Sequence, residues 1–295
     1  MKIKNVITYF KYEYIKRRAF RTITSQAFQK SHPEYVDEIK YIRKRKKLLL
    51  FPYPYIEKYV PEKFPIFIDD ISKIPYVIYK NKKLFFNVGQ NLNLTQIQWK
   101  YSCLASEQDD ASPHKYFTDE FKVEQNDIFI DIGCAEGKEA LDVVGVAQEL
   151  YLFECDLKWQ NALKMTFSEK QIGELSHNVK IINKFVSDKS TDECIRLDDI
   201  VPGGDSLFIK IDVEGTESDV LKSAQNIIEK SKRCRIAVAC YHNNDDAEKL
   251  TMLLSEMGFK CWFTPGYMLY FYNDTSKFIY PYFRHGVIRA EKGNY

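Results

Sequence analysis

The feature that most constrains this chain is an apolar run, Ile128-Phe-Ile130, that ends on Asp131 and passes straight into Gly133-Cys-Ala-Glu136-Gly137. A run without polar residues predicts a strand covered on both faces, as in parallel sheets. Two glycines four positions apart then let the backbone turn sharply and start a helix. Such strand–turn–helix units hold ligands in open α/β sheets. The spacing here, Asp-x-Gly-x-x-x-Gly, is not that of a dinucleotide turn, which requires glycine where this chain has Asp131 and a third glycine that is missing. A pyrophosphate needs close approach of bare backbone. A ligand with an amino-acid head is better served by a carboxylate for its ammonium, here Asp131, and by N–H groups near the helix start for its carboxylate.

The pattern repeats downstream. Strand-like runs lie at 127–131, 150–154, 179–186, 206–212, 234–241, 261–263, 268–272 and 286–290. Helical periodicity falls between several of them, at 137–148, 157–171, 216–229 and 245–257. This alternation predicts an α/β domain over 112–295, with a mostly parallel sheet covered by helices on both faces. Residues 1–111 read as a separate region. They hold a helix over 33–47, five of the ten prolines within 51–75, a hairpin flanking Lys80-Asn-Lys-Lys83, and a weak helix over Leu94–Ser106.

Charge is uneven between these parts. Residues 1–50 carry 14 Lys/Arg against 4 Asp/Glu, and the remainder carries 29 against 37, so a +10 arm adjoins a −8 body. The arm either docks on its own body or meets an anionic partner such as a membrane surface. Seven scattered cysteines without a Cys-x-x-Cys pair fit neither a disulfide framework nor a zinc site, and no metal is expected. The N-terminal segment has no signal-type apolar core. The expectation is a cytoplasmic protein, with peripheral contact at the inner membrane surface as the partner reading of the arm.

In open α/β sheets the chemistry lies beyond the carboxyl ends of the strands. The second predicted strand ends on Glu154, 21 residues after Gly133, where a carboxylate can accept both ribose hydroxyls of a nucleoside. Gly133, Ala135, Glu136 and Gly137 of the turn join Asp131 and Glu154 as cofactor-binding candidates, with Cys155 beside them and Ser187 after the third run. The fourth strand ends on Asp212, followed by Val213-Glu214-Gly215-Thr216-Glu217. Asp212 sits where a cofactor's reacting group belongs, so it is a candidate for both cofactor binding and catalysis. Glu217 can instead cap the next helix. The fifth strand ends on His242, a natural general base near neutral pH, though a purely structural histidine reads the same way. His114 and Tyr116 in the loop before the main domain, with Glu214 and Glu217, are candidates for substrate contact.

Asp131-Ile-Gly-Cys-Ala-Glu-Gly137, Phe153-Glu154, Arg196-Leu-Asp198-Asp-Ile200, Ile209-Lys-Ile-Asp-Val-Glu-Gly-Thr-Glu217 and the Tyr241-His242 strand end resemble, in this order, the FkbM-type methyltransferases. The resemblance covers about residues 112–290. Cys134 and Ala135-Glu136 depart from the family's usual residues. It implies a Rossmann-like class I methyltransferase fold with a mostly parallel seven-stranded sheet. It also implies S-adenosylmethionine as cofactor and methyl transfer to a hydroxyl of a glycan, sugar nucleotide or related small metabolite, with Asp212 or His242 as base. A divalent ion on Asp212, Glu214 and His242 is a weaker route to the same activation. The chain lacks the Asn-Pro-Pro-Tyr that serves methylation of base amino groups, which disfavours a nucleic-acid acceptor. The alternatives are an RNA-binding methyltransferase, with Phe10, Tyr12, Tyr14 and Phe20 stacking on bases, and a non-catalytic module of the same fold. A nicotinamide enzyme is disfavoured by the missing glycines. Oligomeric state is not legible.

Overall fold

A computed structural model describes residues 3–86, 93–270, 280 and 282–293, with side chains from residue 13 onward. Its centre is a seven-stranded sheet built from β1 (Ile128–Ile132), β2 (Glu149–Phe153), β3 (Val179–Ile182), β4 (Ser206–Ile211), β5 (Arg233–Ala239), β6 (Lys260–Phe263) and β7 (Val287–Gly293). The spatial order is β3-β2-β1-β4-β5-β7-β6. β1 to β5 pair in parallel, and β7 lies antiparallel between β5 and β6. This is the doubly wound arrangement with an antiparallel strand slipped in near one edge. Strand order reverses between β1 and β4, so the cleft belongs above those two strands.

Alternation along the strands divides the core. Ile130, Ile132, Phe153, Ile209 and Ile211 face one layer with Val220, Leu221, Ile227 and Leu250. Phe129, Leu152, Phe208 and Ala237 face the other. That second face is covered by α5 (Lys138–Val143) and α6 (Gln160–Thr166), and also by earlier chain. Val77 and Leu84 of the 75–85 hairpin, Phe86 just after it, and Ile97 and Tyr101 of α4 (Leu94–Glu107) share this cluster. The N-terminal helices α1 (Ile3–Ile23), α2 (Gln26–Ser31) and α3 (Val36–Arg45) form a further cluster. There Ala19, Ile23, Phe28, Ile39 and Ile42 pack on Leu269 and Phe283. Phe20 is partly buried in it, while Tyr14 is exposed. The side chains of Phe10 and Tyr12 lie outside the described ones. No described helix is long and apolar enough to cross a membrane.

The elements differ from expectation in instructive places. The 179–186 run is not one strand: Asn183 turns its amide onto the Glu154 carbonyl (2.6 Å), and Phe185–Val186 then pair with Cys194–Ile195 apart from the main sheet. The 216–229 helix breaks at Ala224 into α7 (Glu217–Ser223) and α8 (Gln225–Lys230), because Asp198 accepts the Asn226 and Ile227 N–H groups and starts a new helix. The 157–171 helix breaks at Phe167–Ser168, where Ser168 is extended. The 137–148 helix stops at Val143. Met268–Leu269 pair with Phe283–Arg284 instead of joining the main sheet, and the rest of the 268–272 run beyond Tyr270 lies outside the described residues.

Candidate active site

The turn after β1 is over-determined. The Gly133 and Cys134 N–H groups both donate to the Phe153 carbonyl (2.9 and 3.2 Å), which ties the turn to the end of β2. Gly133 has φ +75°, and a Cβ there would stand 2.0 Å from the Asp212 carbonyl oxygen. Ala135, an L-residue, is held at φ +45°. Its N–H donates to Glu154 Oε2 (3.0 Å), while Asp156 N–H donates to Oε1 (2.8 Å). Glu154, 8% exposed, is thus pinned under the turn with one further lone pair on each oxygen.

Asp131 lies behind this turn, not on the cleft wall. The parallel register sets it opposite Lys210 of β4, and the two side chains form an ion pair at 2.9 Å with no solvent exposure of Asp131. Lys210 also donates to the Gly133 carbonyl (2.8 Å). Burial pushes the Asp131 carboxyl up to about 6 against the pull of Lys210. Burial would lower the Lys210 ammonium, but the Asp131, Asp212 and Glu139 charges together outweigh it and hold the lysine protonated.

A cleft of about 360 Å³ opens between the turn, α4, α5, the 112–116 loop and the end of β4. Four of its lining side chains are carboxyls: Glu107, Glu136, Glu139 and Asp212. Its lysine, Lys210, is already committed to Asp131. Burial pushes Glu107 well above the usual carboxylate range, and burial with the neighbouring Glu139 charge pushes Glu136 up to about 8. Burial would raise Glu139 too, but Lys138 (3.4 Å) and Lys210 with the backbone N–H together outweigh it and hold Glu139 below its ordinary value. A wall of this kind favours a cationic ligand.

At the far end Asp212, its side chain 22% exposed, gathers the other candidates. Tyr116 Oη donates to Oδ2 (2.7 Å) and Tyr241 Oη to Oδ1 (3.2 Å). His114 Nε2 lies 3.7 Å from Oδ2, and His242 Nε2 lies 3.6 Å from Oδ1. His242 Nδ1 meets Glu217 Oε1 at 2.8 Å. Burial would lower the His242 pKa, but Glu217 and Asp212 together hold it above the ordinary value, which favours the charged ring between the two carboxylates. His114 is the opposite case: burial pushes it down to about 4 despite Asp212, and the ring is neutral. Burial opposes ionisation of Asp212, yet the neighbouring histidines, Lys210 and the Tyr116 hydroxyl keep it below its ordinary value.

The structure therefore brings together Gly133, Ala135, Glu136, Asp212, His114 and Tyr116 on the cleft, with His242 and Glu217 directly behind. Gly137, at φ +79°, starts α5 with no room for a Cβ against Phe167. Glu214 is exposed beyond β4, and Cys155 and Ser187 are partly buried outside the cleft lining. Among the described residues the close histidine–carboxylate group is Glu217, His242 and Asp246, not Asp212, Glu214 and His242. Its oxygens already accept the Gly215 and Asn243 N–H groups. Sequence reasoning assigned no role to Glu107, Glu139, Lys210 or Tyr241. For Lys210 a signal existed, a lone cation inside the apolar strand Ile209-Lys-Ile211.

The chain matches the profile of the Methyltransferase FkbM domain over residues 81–261. No curated protein matches it. Among solved structures it is similar to a methyltransferase FkbM from Methylobacillus flagellatus at 15% identity and TM-score 0.46, covering 87% of this chain and 60% of that one. A SAM-dependent O-methyltransferase from Thermotoga maritima is similar at 14% identity and TM-score 0.37, covering 58% and 62%. An rRNA methylase from Streptococcus thermophilus follows at 13% and 0.35, covering 59% and 90%. The chain thus spans less than two thirds of the length of the first two.

Proposed function

The chain belongs to the FkbM methyltransferase family, and on that premise we propose that it methylates a hydroxyl of a glycan, a sugar nucleotide or a related small metabolite, with S-adenosylmethionine as donor. The observation that carries this reading is the continuity of the acidic cleft: the glycine turn at one end and the Asp212 cluster at the other share one wall. The donor set fits the cofactor. A sulfonium and an ammonium are both cations, and Glu136 and Glu139 would face them, while Glu154 keeps lone pairs for the ribose hydroxyls. When bound, the cofactor supplies an electrophilic methyl carbon. The protein's task is alignment, which supplies roughly 7–11 kcal/mol of the barrier. Asp212, fixed by two tyrosine hydroxyls and by His242 at its back, anchors the acceptor beside the methyl position.

The test is transfer of labelled methyl from S-adenosylmethionine to a panel of sugar nucleotides, oligosaccharides and lipid-linked glycans, with an RNA pool alongside. Label in a sugar hydroxyl is the expected result. Label in RNA alone would overturn the acceptor class. Binding of the cofactor without transfer to any acceptor would favour a non-catalytic module.

The arm supports a second proposal, docking at an anionic lipid surface. Its apolar side packs against Leu269 and Phe283. Arg17, Arg18, Arg21, Lys44, Arg45, Lys46 and Lys47 stay exposed. Each cation near such a surface adds about 1 kcal/mol. The protein should pellet with phosphatidylglycerol-containing vesicles at low salt and release at about 0.5 M salt, where screening is nearly complete. Equal pelleting with pure phosphatidylcholine, or none, would sink the idea.

A further inference from the structure

We infer that His114 Nδ1 and the Glu107 carboxyl form the seat of the acceptor hydroxyl, and that Nδ1 takes its proton during methyl transfer. The inference rests on the methyltransferase reading above and adds the residues that hold and deprotonate the acceptor.

The argument starts with where the hydrogens lie. Tyr116 and Tyr241 each donate to a different oxygen of Asp212 (2.7 and 3.2 Å). Their hydroxyl oxygens are then acceptors toward His114 Nε2, at 3.3 and 3.2 Å. Nε2 therefore carries the ring proton, and Nδ1 carries the lone pair. That Nδ1 is buried and without a hydrogen-bond partner, on a side chain 2% exposed that nonetheless lines the cleft. A bare buried acceptor is costly and calls for a donor. Across from it stands Glu107 Oε2 at 3.9 Å, also on the cleft. This gap is too long for a direct hydrogen bond and is a span that one oxygen about 2.8 Å from both atoms would bridge. Burial pushes Glu107 well above the usual carboxylate range, which favours the protonated carboxyl as donor to such an oxygen, while Nδ1 accepts from it. A hydroxyl, as donor and acceptor at once, satisfies both; an amine cation would leave the Glu107 proton without an acceptor.

The backbone holds the ring where this requires it. Ser112 Oγ accepts the His114 N–H (3.1 Å), and Gln108 Nε2 donates to the His114 carbonyl (3.2 Å). In the reaction the acceptor O–H bond breaks toward Nδ1 as the new C–O bond forms, and the carbon–sulfur pair stays on sulfur. The imidazolium so formed has Asp212 3.7 Å from Nε2 to offset its charge. Asp212 itself is a poor base, because both its oxygens already accept tyrosine protons. His242 has both ring nitrogens turned to carboxylates, Nδ1 to Glu217 at 2.8 Å and Nε2 toward Asp212 at 3.6 Å.

The groups facing His114 are Tyr116 on its own loop, Glu107 from α4, Glu139 from α5, Lys210 of β4 and Asp212 just after it, and Tyr241 and His242 after β5. Burial outweighs their net effect and pushes the ring down to about 4. The base is thus already free at neutral pH, and its limb of the rate profile lies below pH 6.

The test uses the full chain with S-adenosylhomocysteine bound. Nitrogen-15 histidine spectra should show His114 Nδ1 unprotonated and Nε2 protonated throughout pH 6–8. A charged ring at pH 7, or the opposite tautomer, overturns the inference without any acceptor. With the acceptor found by the transfer panel, His114→Asn should cut kcat by about 10²-fold or more. Glu107→Gln, which still donates, should lose less than tenfold. Calorimetric affinity for S-adenosylhomocysteine should stay within threefold in both. Normal turnover of His114→Asn with intact binding removes the inference and leaves the methyltransferase reading standing. Failure of the unmodified protein to bind S-adenosylhomocysteine removes both.

Discussion

Gly133→Ala is expected to destabilise the fold by about 3 kcal/mol or more, a fall of roughly 6 °C or more in Tm, and to weaken S-adenosylhomocysteine binding at least tenfold. Two costs add. The residue sits at φ +75°, where a Cβ is strained whatever the space around it. The Cβ would also stand 2.0 Å from the Asp212 carbonyl oxygen. No rotamer relieves that contact, because the backbone fixes where a Cβ stands and the atom it meets is a backbone oxygen. The Asp212 N–H already donates to the Ile132 carbonyl (3.0 Å), so the ends of β1 and β4 must separate at the point where the cleft begins. Two other glycines isolate the terms. Gly173 has φ +61° but nothing within 4 Å, so Gly173→Ala bears the strain alone. Gly145 has open space and an ordinary backbone, and Gly145→Ala should stabilise by up to about 1 kcal/mol. Thermal melts of the three variants, with calorimetry of Gly133→Ala, check the ranking. Gly133→Ala melting no lower than Gly173→Ala would mean that the close approach to Asp212 carries no weight.

The strand ends were readable because a parallel sheet covered on both faces leaves unbroken apolar runs that stop where the ligand begins. Asp131, Glu154, Asp212 and His242 all end or follow such runs, and the mostly parallel sheet followed from the alternation, while the count of seven strands came with the family resemblance. What could not be read was which strand lies beside which. Lys210 faces Asp131 only through the register of β1 with β4, two strands far apart in sequence. The expected partner of Asp131, a ligand ammonium, is replaced by a side chain that no local pattern announces. Glu107 is similar: it reaches His114 from α4, within the region read as separate from the main domain, because the hairpin and α4 pack into the second core layer. Helix breaks were hidden for the same reason. Asp198, a remote residue, accepts the N–H groups that divide 216–229 into two helices. Local periodicity thus gave the elements, and contacts between distant segments decided where they stop and what they face.

Lys210→Met should cost about 3–5 kcal/mol at pH 8, because it leaves the Asp131 carboxylate buried without its cation. The loss should depend on pH in a way that identifies Asp131. In the unaltered protein burial already pushes Asp131 up to about 6, with Lys210 the main group pulling it down. Without the lysine the folded-state value moves higher still. A carboxyl with a raised folded-state pKa gives stability that is present below its unfolded value and lost as pH rises through the folded one. Below about pH 6 the two proteins lose stability together, and their difference is flat. Above it the unaltered protein has finished losing, while the variant continues to lose about 1.4 kcal/mol per pH unit until Asp131 ionises. Lys210 itself adds no slope in this range, since its own value is raised and titrates only in strong alkali. Denaturant melts of both proteins at pH 5.5 and pH 8 should show the deficit growing with pH. Adding Asp131→Asn to Lys210→Met should remove that growth, because the amide cannot ionise. The double variant should still bind S-adenosylhomocysteine less well than the unaltered protein, since Lys210 also donates to the Gly133 carbonyl and its loss slackens the turn. An equal deficit at the two pH values would mean that Asp131 is not the buried charge that Lys210 neutralises, and that the lysine matters for the turn alone.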